Sequence, residues 1–153
     1  MHARLDLLRP AANSPETVEM AARECPLELV VPHTNQALSA QALSAAAELA
    51  RGFEAVVTLI AVYVLPYPAP LECQEGIRNR LRAELAAVAR TSSVAVRLKL
   101  VFARDRCQAL ADLLPRHSVV VIGTRDRWWP TPEQRLARKL AAGGHSVALV
   151  RVK

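Results

Sequence analysis

From residue 27 onward, strand-like and helix-like patterns alternate along the chain. Leu27-Glu28-Leu29-Val30-Val31-Pro32 is a short apolar run closed by proline. Residues Leu38 to Phe53 are alanine-rich, which favours a helix, and Gly52 marks its end. Ala55 to Leu65 is β-branched and almost continuously apolar, the pattern of a strand buried on both faces. Ile77, Leu81, Leu85 and Val88 recur at helical spacing and predict an amphipathic helix over Leu71–Arg90. Val94 to Phe102 alternates strictly, with Arg97 and Lys99 opposite the apolar side. Cys107, Leu110, Ala111 and Leu114 predict a short helix that stops before Pro115. Ser118 to Ile122 reads as a buried strand ending at Gly123. Thr131, Pro132 and Gln134 sit where an N-cap, a first-turn proline and a capping-box partner belong, so a last helix starts there and ends at Gly143-Gly144. Ser146 to Val152 is the final strand.

Strands joined by helical crossovers run parallel, with helices on both faces. The expected fold is therefore α/β: a three-layer, Rossmann-like domain on a five-stranded parallel sheet. The alternating run Val94–Phe102 belongs at one edge, because only one side of it is apolar. The final strand is apolar on both faces at Val147-Ala148-Leu149-Val150, without the charge or proline that usually blunts an edge. If it is an edge, something must cover it. The expectation is a homodimer that pairs this strand with itself across a two-fold axis. The competing cover is residues 1–26 or the loop holding Trp128 and Trp129. Residues 1–26 lie outside the repeating pattern and divide off as an N-terminal extension, with a short helix expected over Thr17–Glu24; residues 27–153 form the domain. Pro66-Tyr67-Pro68-Ala69-Pro70 is a strand-to-helix loop.

Composition narrows the classes. At 153 residues the chain is one domain with enough length for a real core. Aromatic residues are only 4%, which argues against a base-stacking single-strand binder and makes nucleic acid an unexpected partner. No apolar run reaches membrane-spanning length, and residues 1–16 lack the apolar core of a signal peptide. Three widely spaced cysteines, Cys25, Cys73 and Cys107, give no disulfide framework, and a cytoplasmic location is expected. The net charge is +6, of which +5 lies in Gly123–Lys153: seven basic residues against Asp126 and Glu133.

Open parallel sheets bind ligands at the carboxyl ends of their strands. The loop after the first strand of the domain, Pro32-His33-Thr34-Asn35-Gln36, lacks glycine, so it is neither a dinucleotide fingerprint nor a P-loop. His2, His33, His117 and His145 are isolated, and no metal, nucleophile elbow or general-base constellation is visible, so no enzymatic activity is expected. Cys107 fits a buried stripe with Leu110 and Leu114 better than a reactive thiol. The loop Gly123 to Pro130 carries both tryptophans beside Arg125 and Arg127. One reading makes the rings a stacking wall; the other has one ring close the core and the second pack at a subunit contact. The basic residues around them read either as an anion-attracting patch or as a solvated helix face.

Taken in order, Val31-Pro32-His33-Thr34-Asn35-Gln36 with Ala42-Leu43, then Ile60-Ala61-Val62, Val120-Val121-Ile122-Gly123-Thr124-Arg125 and Ser146-Val147-Ala148-Leu149-Val150 resemble the universal stress protein family over Leu27–Val152. The resemblance implies an adenine-nucleotide-hydrolase-like sheet of strand order 3-2-1-4-5, a role in stress response and a dimer through the last strand. Nucleotide-binding relatives carry Gly-x2-Gly-x9-Gly-Ser/Thr after the fourth strand. Here Gly123 matches the first position, but Asp126 and Leu136-Ala137 replace the others, and Thr34 stands where those relatives have an acidic residue. The expected function is a non-enzymatic module that works by dimerisation and binding of a protein partner, with no cofactor. The alternatives are a nucleotide or phosphate-ligand sensor, and a regulatory domain associated with a transporter. Gly123, Thr124, Arg125, Arg127 and Thr34 are the candidate binding residues, for ATP or AMP if a nucleotide is taken.

Overall fold

The computed structural model describes residues 4–8, 27–69, 75–116 and 118–153. Strand β1 is Arg4–Leu8 and β2 is Leu27–Pro32; helix α1 (Gln36–Gly52) leads into β3 (Ala55–Val64). Helix α2 (Glu75–Ala89) precedes β4 (Val96–Ala103), and α3 (Arg106–Leu113) precedes β5 (Ser118–Arg125). Helix α4 (Pro132–Ala142) returns the chain to β6 (Ser146–Val152).

The strands form one sheet in the order β1-β6-β5-β2-β3-β4. From β2 onward every pairing is parallel, and those five strands run 3-2-1-4-5 in their own sequence order. Residues on alternate sides of each central strand enter two separate cores. Leu29, Val31, Leu59 and Val121 pack beneath Ala42, Leu43 and Ala46 of α1 and Leu85 and Val88 of α2. Val30, Ile60, Val120 and Ile122 face the other way, onto Leu110 of α3 and Leu136, Ala137 and Leu140 of α4. Burial on both faces explains why these strands lack polar alternation. Cys107 is partly buried against the second core, beside Leu110 and Leu114, as its stripe predicts.

Each edge differs from expectation in one respect. The outer side of β6 is paired antiparallel with β1, with Arg4 opposite Arg151 and Leu8 opposite Val147. β1 takes the row of backbone donors and acceptors that the expected homodimer through the C-terminal strand would use, which is the competing cover by residues 1–26 that the sequence offered. This cover accounts for an apolar β6 without blunting charge. The helix expected over Thr17–Glu24, together with Cys25, Cys73, His2 and His117, lies outside the described residues. At the other edge, Val94, Val96 and Leu100 pack against the first core, but Leu98 is exposed. Helix α2 buries Leu85 and Val88, and a cavity lined by Arg82, Leu85 and Ala86 of α2 lies over Leu98 and Leu100.

Candidate functional site

The chain winds from β2 outward through β3 to β4, then crosses back to β5 and β6. The switch point therefore lies between β2 and β5, where the loops at Thr34 and Asp126 leave the sheet. Two helices begin beside it. Asn35 caps α1, its side chain accepting from the Leu38 amide at 2.9 Å. Thr131 caps α4 through a complete capping box with Gln134, as the sequence spacing predicts.

Gly123 is buried at the end of β5 because α1 crosses it. A Cβ there would lie 2.3 Å from the carbonyl oxygen of Leu38. The glycine thus serves a close helix-on-strand contact. Thr124 is fully buried and its hydroxyl bonds to the Thr131 hydroxyl at 2.8 Å. Leu136 and Ala137 lie inside the second core. Asp126 is exposed, and its amide donates to the Val152 carbonyl at 3.3 Å, which ties the loop to β6.

On the β2 side, His33 is held from three directions. Its amide donates to the Ile60 carbonyl, Nδ1 lies 2.9 Å from Ser39 Oγ, and Nε2 lies 3.1 Å from Glu84 Oε1. Serine, histidine and glutamate in a row resemble a nucleophile relay. Ser39 is buried, however, and its Oγ also accepts from the Thr34 amide at 3.1 Å. A hydroxyl sealed from substrate cannot attack one, so the row is a brace for the β2–α1 loop. Thr34 contributes its backbone to this brace.

Arg106, the first residue of α3, reaches across to the same loop. Its guanidinium donates through Nη2 to the His33 carbonyl, while Nε is buried without a partner. Burial pushes its pKa down, and the Glu133 carboxylate in the first turn of α4 chiefly opposes that shift. A cation from α3 is therefore bonded to the residue that follows β2, at the carboxyl ends of the strands where an open sheet of this kind takes ligands. The pattern of the sequence does not mark this residue: it stands beside the N-cap Asp105 and reads as one more surface arginine. Ser39 and Glu84 were equally unmarked, because their helical spacing says nothing of a histidine in another element.

Arg125 and Arg127 are exposed and line two cavities. One, of about 250 Å³, is completed by Asn35, Leu38, Thr131, Pro132 and Glu133. The other, of about 530 Å³, lies between the start of α1 and the ends of β5 and β6. Trp128 and Trp129 line neither cavity and are 89% and 76% exposed, so the expectation that one ring closes the core is corrected. Asp126 forms no ion pair with either arginine, and all three residues are exposed. Of the five candidate residues, then, Arg125 and Arg127 share a surface; Gly123 and Thr124 are buried, and Thr34 is half-buried with its amide on Ser39. Among the described residues no cluster of His, Cys, Asp or Glu could hold a metal ion, and no helix is long and apolar enough to cross a membrane.

No protein-family model and no curated protein matches the chain. Solved structures do. A universal stress protein in complex with cAMP superposes with a TM-score of 0.55 at 14% identity, over 83% of this chain and 97% of that one. A universal stress protein from Archaeoglobus fulgidus gives 0.55 at 15% identity, over 87% and 98%. The universal stress protein UspA from Lactobacillus plantarum gives 0.53 at 15% identity, over 83% and 97%. At these identities the likeness shows the fold: this chain is built as the universal stress proteins are.

Proposed function

Starting from the universal stress protein fold, we propose that this chain is a non-catalytic, cytoplasmic stress-response module whose nucleotide crevice is altered by its own side chains so that it does not take a nucleotide, and which acts through dimerisation and through its surface on a partner. The observation that carries this reading is Arg106, whose guanidinium sits on the His33 carbonyl and in the field of Glu133. Three further features support it. Gly123 is spent on contact with α1. The positions that would donate to phosphate, Leu136 and Ala137, are core residues. Asp126 adds a negative charge beside the same loop, where phosphates would be repelled. One relative of this fold is a complex with cAMP, so that ligand belongs in the test with ATP and AMP. Thermal-shift measurements with each of the three, with and without magnesium, should leave the melting temperature unchanged. A saturable rise with any of them would overturn the reading, because a ligand that binds only the folded state must stabilise it.

A second reading, a sensor of a phosphate-bearing ligand, is favoured by one observation: Arg125 and Arg127 flank the capped start of α4 in the smaller cavity. Charge-assisted bonds from two guanidinium groups suit a phosphate. The same thermal-shift panel, extended to inorganic phosphate, separates this reading from the first. The dimerisation expected of the module would compete with β1 for the outer edge of β6, so pairing through that strand calls for displacement of residues 4–8.

A further inference from the structure

We propose that the segment from Arg125 to Lys139 is a docking face for an anionic lipid bilayer, with Trp128 and Trp129 as the inserting tip. This goes beyond the altered-crevice reading and does not depend on it. The six residues Arg125 to Pro130 are all exposed, an unbroken run that ends where buried Thr131 begins. The run is not a loose strap. The Thr124–Thr131 hydroxyl bond closes its base, and the Asp126 amide holds it to the end of β6. A loop pinned at both ends therefore presents two adjacent indole rings to solvent. Exposed large apolar side chains at one place mark an interaction site.

The charge beside the rings selects the occupant. In α4, Leu136, Ala137 and Leu140 face the core, which turns Arg135, Arg138 and Lys139 outward at helical spacing. With Arg125 and Arg127 these make five exposed cations against one exposed acid, Asp126. Glu133, the remaining acid of the segment, is half-buried and lines the smaller cavity with Arg125 and Arg127, so the cations still outnumber the acids five to two. Two interfacial aromatics beside a polybasic helix face fit a negatively charged bilayer: indoles settle at the headgroup level, and cations are drawn by the surface potential. Single-stranded nucleic acid is held in grooves that track the backbone, with bases stacked on aromatic platforms. Here the rings line neither of the cavities that Arg125 and Arg127 border, and the basic stripe is the outer face of a helix.

The two tryptophans are the only ones in the chain, so tryptophan fluorescence, excited where the two tyrosines do not absorb, reports this loop alone. The intact protein is titrated with vesicles of mixed phosphatidylcholine and phosphatidylglycerol, and with phosphatidylcholine vesicles. The expected result is a blue shift and co-sedimentation with the anionic vesicles only, weakened by salt. Arg135→Glu with Arg138→Glu should lower partitioning by on the order of tenfold or more. Trp128→Ala with Trp129→Ala should abolish co-sedimentation while circular dichroism stays unchanged, since all four side chains are exposed. The proposal is overturned by an absent blue shift, by equal binding to neutral vesicles, or by binding that survives loss of both rings. Fluorescence quenching by a single-stranded oligonucleotide, with no response to anionic vesicles, would also overturn it in favour of a nucleic-acid face. Nucleotide binding in the thermal-shift panel leaves each of these outcomes readable.

Discussion

Gly123 lies so close beneath Leu38 that any side chain at 123 would collide with the Leu38 carbonyl oxygen, at 2.3 Å from the added Cβ. Both groups are backbone, so neither swings aside as a side-chain end would. Gly123→Ala must push α1 away from β5, which disturbs the first core along Ala42, Leu43 and Ala46. The expected cost is about 1–3 kcal/mol, as for other overpacked sites. Urea denaturation of the variant should show the midpoint fall with little change in slope. An unchanged midpoint would mean the two elements are not in this contact.

Thr131 caps α4 and also satisfies the hydroxyl of buried Thr124. Thr131→Ala removes both interactions and should cost roughly 1–2 kcal/mol, at the upper end for an N-cap because a buried hydroxyl loses its main partner. Thr131→Ser keeps the oxygen and should recover most of the loss. Thermal melts of the two variants side by side check this; equal destabilisation would point to the methyl group and against the cap.

Strand β1 is the cover of β6. A chain lacking residues 1–8 exposes the outer edge of Val147-Ala148-Leu149-Val150 and should associate, because a flat apolar edge pairs with whatever strand it meets. Analytical ultracentrifugation at micromolar concentration should find the full chain near its 16.7 kDa single-chain mass and the truncated chain at twice that or larger. Identical sedimentation of the two would show that β1 does not guard this edge.

Much of the fold was written in residue patterns. The runs at Ala55–Val64 and Ser118–Ile122 are apolar on both faces because helices cover both, and Thr131-Pro132-Glu133-Gln134 declares its cap by spacing alone. The edge of β6 was only half legible. Its apolar pattern said that a cover exists, but the pattern of Arg4–Leu8 gave no sign of which strand it would meet, since pairing between distant segments leaves no local periodicity. The site was less legible still. Gly123 stood out as a glycine after a strand, yet only the approach of Leu38 tells packing from phosphate binding. Arg106 carried no signal, because its meaning depends on His33 and Glu133, 73 residues before it and in a later element respectively. The tryptophan pair was conspicuous in sequence, but exposure, the property that gives it a role, belongs to the folded loop.

The altered crevice is the centre of this account, and isothermal titration with ATP and magnesium tests it most directly. The wild type should give no heat beyond dilution. Arg106→Ala, which removes the guanidinium from the His33 carbonyl, should be no tighter than millimolar, because Asp126 still repels phosphate and the buried Leu136 and Ala137 supply neither a hydroxyl nor a glycine turn to it. A micromolar dissociation constant for the wild type would contradict the account and make the switch point between β2 and β5 a working nucleotide site.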